Sequence, residues 1–222
     1  MADPLVDLEI RSIRLLTPTV KEFVLRRVDG QPYPFTSGQH VMVHYEGLYR
    51  EFSIASPARR PETIRLAVRA VGKVSQWLHE RQAGDVIQAT EANGLEFHPK
   101  YLAGRDLWLI AGGIGLTGLV STIYELEHNP RHFGSNHRLF YGLPNRSELL
   151  WPEELERWRS FIEIDITGDG RHLIGDLLHE RLEVPNTVTA LVCGSQQFSD
   201  AVFQVLTKLG IQRTRILTNI WE

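Results

Sequence analysis

Over the first hundred residues, apolar and polar positions alternate with a period near two. Residues 8–16 (LEIRSIRLL), 20–28 (VKEFVLRRV), 40–45 (HVMVHY), 49–55 (YREFSIA), 63–71 (TIRLAVRAV) and 85–90 (DVIQAT) read as six strands. Gly and Pro clusters such as DGQP, TSGQ and SPARRP separate them as turns. A single helical pattern, residues 74–82 (VSQWLHERQ), interrupts the series and stops before Gly84. Six short strands with one helix predict a small antiparallel six-stranded β-barrel. Past Lys100 the rhythm changes. Apolar runs at 107–110, 137–142, 161–166, 188–193 and 213–218 alternate with amphipathic helical stretches near 115–128, 151–159, 172–181 and 196–209. That alternation predicts an α/β domain built on a parallel five-stranded sheet covered on both faces. The expected division is therefore 1–102 for the barrel domain and 103–222 for the α/β domain.

Composition narrows the function without naming it. The chain has 222 residues, 42% of them hydrophobic, enough for two packed cores. A net charge of -3 with both signs mixed along the chain gives no reason to expect nucleic acid or insertion in a membrane, and points to a small ligand. Cys193 is the only cysteine, so this chain by itself builds neither a disulfide nor an iron-sulfur cluster. The histidines show no metal-ligand spacing, so no metal is expected. The first ten residues, MADPLVDLEI, lack an apolar h-region, which predicts a cytoplasmic protein.

The candidate chemistry begins at residues 110–119, IAGGIGLTGL, where Gly113, Gly115 and Gly118 have the spacing GxGxxG. These glycines sit inside residues 107–124, a stretch without a charge that also admits a membrane span. The glycines and threonine in its middle, after a run already strand-like, favour strand, turn and buried helix instead. An ordinary dinucleotide fingerprint also expects an acidic residue about 20 positions on. Here the second parallel strand ends Phe140-Tyr141-Gly142. Glycines after a first parallel strand let the backbone approach a phosphate at a helix N-terminus, or simply make a tight turn. The residues alone leave both open. Arg50, Phe52 and Ser53 form a second constellation, suited to a phosphate, a flat ring and a ring nitrogen, or else an exposed strand with ordinary alternation. Gly72-Lys73-Val74-Ser75 opens the barrel's helix, as a phosphate cradle or as an N-cap.

Four segments in order, REFSIASP, GKVSQWL, AGGIGLTG and VCGS, together resemble the flavin, pyrophosphate and nicotinamide motifs of the ferredoxin-NADP reductase superfamily. FTSGQHV before the Arg50 strand and FYGLPNRSELLWPEEL after the second parallel strand add to the likeness, which runs from about Leu8 to the C-terminus. The resemblance implies a barrel that holds FAD and an α/β domain that holds NADH or NADPH. It implies that Arg50 meets flavin phosphate, Phe52 lies against the isoalloxazine and Ser53 bonds near N5, with Ile54 also among the cofactor-binding residues. Gly72, Lys73, Val74 and Ser75 would hold the pyrophosphate, and Gly113, Gly115 and Thr117 the nicotinamide side. Cys193 and Gly194 would sit near the reacting carbon, with Trp221 over the flavin face. Ser53, Cys193 and Trp221 are thus the implied catalytic residues of a hydride transfer from nicotinamide to flavin. Electrons would then pass to a separate ferredoxin, flavodoxin or oxygenase component.

Departures from the family pattern qualify this. Gly118 stands where relatives carry proline, Ser195 ends what is usually C-G-P, and Asn219 replaces an acidic residue two before an aromatic. From the sequence, Gly115→Val should abolish coenzyme reduction while leaving FAD bound, and Gly118→Pro should be tolerated. Asp169 would repel a 2′-phosphate and Arg171 would accept one, a balance that leans to NADH. Arg59, Arg60, Arg65, Arg69 and Lys73 form either a solvated face or a docking patch for an acidic electron carrier. The alternatives are a reductase of free flavin and a non-catalytic relay or nucleotide-sensing subunit.

Overall fold

The computed structural model describes residues 4–94, 97–168 and 187–221, with Ile220 and Trp221 described by their backbone alone. Six strands, β1 (Leu5–Thr17), β2 (Val20–Arg27), β3 (His40–Tyr45), β4 (Leu48–Ser53), β5 (Ile64–Arg69) and β6 (Val86–Thr90), form one sheet in the order β4-β3-β6-β1-β2-β5. Every pairing in it is antiparallel. The period-two pattern is the cause: Val41 and Val43 of β3, Phe23 and Leu25 of β2, and Leu8 and Ile10 of β1 point inward and are buried together. The β3–β4 hairpin turns on Glu46 and Gly47, whose φ of 48° and 78° are what a two-residue turn between twisted strands needs. The edges approach each other where Ala55 N–H, just past β4, donates to Arg65 O on β5 at 2.7 Å. Helix α1 (Lys73–His79) buries Val74 and Leu78 in the same core.

The second sheet contains β7 (Asp106–Gly112), β8 (Arg138–Gly142), β9 (Glu163–Thr167), β10 (Val188–Ser195) and β11 (Ile216–Trp221), all parallel, in the order β11-β10-β7-β8-β9. Its central strands are apolar on both faces, since both are covered. On one face α2 (Thr117–His128) and α3 (Pro152–Trp158) pack over Leu109, Leu139 and Leu191; on the other α4 (Gln196–Lys208) packs over Trp108, Ile110 and Val192. Val20, Ala55 and Ala67 of the barrel are part of the same apolar cluster as Leu119 and Val120 of α2, so one core runs across the junction. The uncharged stretch 107–124 is strand β7, a turn at Gly113–Leu116 and α2. Among the described residues no helix is long and apolar enough to cross a membrane. The helix expected near 172–181 lies outside the described residues.

Candidate functional site

Strand order places the site. The chain leaves β7 for β8 on one side, while β10 pairs β7 on the other, so the sheet's direction of winding switches between β7 and β10. Loops diverge at such a point and leave a crevice outside the carboxyl ends of the strands. Gly112-Gly113 and Cys193-Gly194 stand at those ends. Facing them are β4, an edge strand of the barrel, and β5, and between the two sheets lies a cleft of about 690 Å³. Arg50, Phe52 and Ser53 line it from the barrel, as do Gly113, Thr117 and Gly194 from the α/β domain.

The glycines are there for different reasons. Gly113 has φ +54°, a left-handed conformation at the start of the turn. A Cβ on Gly115 would fall closer than 3.0 Å to the backbone carbonyl of Cys193, so the turn lies directly on β10. The expectation for Gly115→Val is corrected accordingly: Gly115 does not line the cleft, and a side chain there would push two backbones apart. Gly112 and Gly194 make room for the Phe198 ring, at 2.9 and 2.6 Å from their would-be Cβ positions. A Cβ on Gly118 would fall closer than 3.0 Å to Cys193 Sγ and 3.4 Å from Ser53 Oγ. Proline carries that Cβ, so the expected tolerance of Gly118→Pro is also corrected. The thiol occupies the space that a proline at 118 would need.

Ser53 Oγ is buried and has no hydrogen-bond partner among the described residues. An orphaned buried hydroxyl costs about 1–3 kcal/mol, which a ligand atom would offset. Arg50 and Phe52 reach the cleft alongside it because β4 is an edge strand. Ile54 turns its side chain into the barrel core and donates its N–H to Gln39 O at 3.0 Å. The stretch Gly72 to Ser75 is less open than expected. Ser75 Oγ accepts the N–H groups of Val71 at 3.1 Å and Gly72 at 2.9 Å, and donates to Gly72 O. Lys73 Nζ pairs with Glu46 at 2.7 Å, and Val74 is core. Of these four, only Ser75 lines the cleft. What remains for an anion is the first-turn amides of α1, which have no carbonyl partner within the helix.

Cys193 is fully buried, with Sγ toward Gly118, while its neighbour Gly194 lines the cleft. Trp221 pairs with Ser195 in the sheet register; its side chain, like Asp169 and Arg171, lies outside the described residues. Asn219 pairs with Cys193, and its Nδ2 is buried without a partner among the described residues.

The basic run divides on folding. Arg65 is half-buried in an ion pair with Glu154 and Arg69 pairs with Glu148 at 3.1 Å, whereas Arg59, Arg60 and the Glu46-paired Lys73 are exposed. Two cleft residues carried no sequence signal of their own. Arg69 stands over the Gly113 turn, 3.9 Å from the position of a Cβ there, and was legible only as one cation in a basic run. Phe198 fits the apolar stripe of α4 as any core residue would.

No family profile matches the chain. It is 32% identical to the sulfhydrogenase 2 subunit gamma of Pyrococcus furiosus over 67% of this chain and 52% of that one. It is 31% identical to the carnitine monooxygenase reductase subunit of Escherichia coli over 92% of this chain and 65% of that one. The chain thus spans less than two thirds of either relative. Among solved structures, the FAD/NAD-binding domain of a Vibrio cholerae nitric oxide dioxygenase superposes with a TM-score of 0.85, at 20% identity and 99% coverage of both chains. A ferredoxin-NADP+ reductase of Plasmodium falciparum superposes with a TM-score of 0.83, at 18% identity, covering 98% of this chain and 96% of that one. The chain has the two-domain fold of the ferredoxin-NADP reductases. Within that fold, the edge strand β4 and the β7–β10 switch point are the two walls of one cleft, and Ser53 Oγ lies 3.4 Å from where a Cβ on Gly118 would stand.

Proposed function

We propose that the protein is an FAD-dependent NAD(P)H oxidoreductase that takes up hydride and passes electrons to a separate ferredoxin, flavodoxin or oxygenase component. Residues 1–102 are its flavin domain and 103–222 its coenzyme domain. It acts in the cytoplasm, where an unpaired cysteine stays reduced. The observation that carries this reading is Ser53 Oγ: a buried hydroxyl without a partner among the described residues, on the barrel edge and beside Gly118 at the start of α2.

The residues present fit both groups. A flavin bound at β4 would supply a two-electron acceptor, chemistry that no side chain of this chain offers. Ser53 would hydrogen-bond the ring edge, Phe52 would cover its face, and Arg50 would neutralise phosphate. The Gly113–Leu116 turn and Thr117 would admit the nicotinamide from the opposite wall, where Gly113 and Gly194 present no side chain. Holding two rings at reacting distance is the whole catalytic task, and no acid or base is required for hydride transfer itself. This chain spans 52% and 65% of the lengths of those two relatives, and in this reading the electron acceptor is a separate component.

Anaerobic mixing of the FAD-loaded protein with NADH and, separately, with NADPH tests the reading. Flavin absorbance should bleach within seconds, faster with NADH. Retention of FAD through purification separates this reading from a reductase of free flavin. No bleaching with either coenzyme would leave a relay or sensing subunit as the remaining reading.

A further inference from the structure

The junction between the two sheets holds a cluster of charge that hydride chemistry does not use. Arg65 of β5 extends from the barrel to α3, where its guanidinium meets Glu154 through two bonds, Nη1 to Oε1 at 2.7 Å and Nη2 to Oε2 at 3.2 Å. Nη2 also donates to Tyr124 Oη of α2 at 3.1 Å, and Tyr124 donates to Glu154 at 2.7 Å. Glu22 of β2 lies 3.4 Å from Nη1 and accepts Trp151 Nε1 at 2.7 Å and Arg14 Nε at 3.1 Å. The guanidinium lies over the Trp151 ring, 4.9 Å from its centroid. Three barrel residues and three α/β residues thus close on one another with every charge compensated.

Two links lead from this cluster to the cleft. Arg65 Nε donates to the carbonyl of Ala55 at 2.7 Å, two residues beyond Ser53. Tyr124 belongs to α2, which begins at the cleft residue Thr117, about two turns away along a rigid helix. A largely desolvated, bidentate ion pair adds little net stability compared with an apolar pair of the same shape, but it admits one arrangement of its partners. We propose that Arg65 is a positioning residue, whose guanidinium sets the separation between Ser53 on the barrel and the Gly113–Gly118 segment, and thereby the distance over which hydride passes. The inference rests on the function proposed above. Its consequence is that coenzyme binding and hydride transfer can be uncoupled at a residue that touches neither ring.

The test uses FAD-loaded Arg65→Met and two readouts. At saturating NADH, anaerobic flavin reduction should slow by about tenfold or more, because a misplacement on the order of 1 Å is enough for such losses. Half-saturation by NADH should change less than about threefold, and reduction by dithionite should keep the parent rate. The second readout needs no chemistry: spin labels on cysteines introduced at the exposed residues Gln88 and Arg131, one on each domain, report the inter-domain distance. The buried Cys193 takes no label. Arg65→Met should broaden that distance distribution relative to the parent. A parent-like reduction rate or a parent-like distribution in Arg65→Met would overturn the proposal. If Arg65→Met does not fold, Glu154→Gln, which keeps shape but not charge, is read by the same two measurements. A parent protein that bleaches with neither coenzyme would defeat the proposed function instead, and the label distances would then decide the role of Arg65 alone.

Discussion

Gly118→Ala should change the sign of its effect according to what stands at position 193. Position 118 lies in the first turn of α2, where replacing Gly by Ala ordinarily stabilises a helix by up to ~1 kcal/mol. Here the added Cβ falls closer than 3.0 Å to the Sγ of the fully buried Cys193, so the thiol must shift to admit it. Overpacking of this kind costs ~1–3 kcal/mol, so the net effect in the parent is a loss of about 0–2 kcal/mol. In a Cys193→Ala background the obstacle is gone. The nearest atoms to the new methyl are then Ser53 Oγ at 3.4 Å and the Cβ of residue 193 at 3.7 Å, close to ordinary van der Waals contact. There the same change should stabilise by up to ~1 kcal/mol, which makes the coupling between the two positions about 1–3 kcal/mol. Guanidinium denaturation of the four proteins without flavin measures it directly. An equal effect of Gly118→Ala in both backgrounds would refute the placement of the thiol against Gly118, and with it the account of why this chain lacks a proline there.

Two more outcomes follow from the site and its clasp. Ser53→Ala removes a buried hydroxyl that has no partner among the described residues, so the flavin-free protein should be as stable as the parent or more so by up to ~1–3 kcal/mol, while flavin reduction by NADH slows; a less stable flavin-free variant would show that the hydroxyl is already satisfied. Burial alone would raise the Glu154 carboxyl, but its hydrogen bond and charge interaction with Arg65, with help from Tyr124 and Arg157, outweigh burial and hold it below its ordinary value of 4.5. A lowered folded value means that the ionised group adds stability above the unfolded value of about 4.3 and loses it as pH falls through the folded one. The stability difference between parent and Glu154→Gln should therefore stay level from about pH 8 to 5 and shrink below about pH 4, whereas a difference that grows on acidification would contradict the buried pair.

Much of the architecture was legible because it is set locally. Alternation in HVMVHY gives β3, apolar runs such as VTALVC give strands covered on both faces, and the change of rhythm past Lys100 marks the passage from barrel to parallel sheet. The order of motifs carried the two-domain fold, and Arg50, Phe52, Ser53, Gly113, Thr117 and Gly194 do line one cleft. What could not be read was which cations face solvent. Arg59 and Arg65 look alike in a run of basic residues, yet one is exposed and the other is half-buried against Glu154, a residue 89 positions away.

The sequence by itself determined the elements, their order and the chemical character of the two cleft walls, because periodicity and turn residues act over a few neighbours. Only the tertiary structure decided the roles of individual residues. Gly115 proved to be a packing glycine against Cys193, Ser75 a loop-closing hydroxyl, and Cys193 a thiol lodged in the space left by Gly118. Contacts such as Trp151 with Glu22, 129 residues apart, depend on how two sheets meet. No pattern within either stretch encodes the partner, since the energy of a buried polar atom is set by what lies a few ångströms away in space.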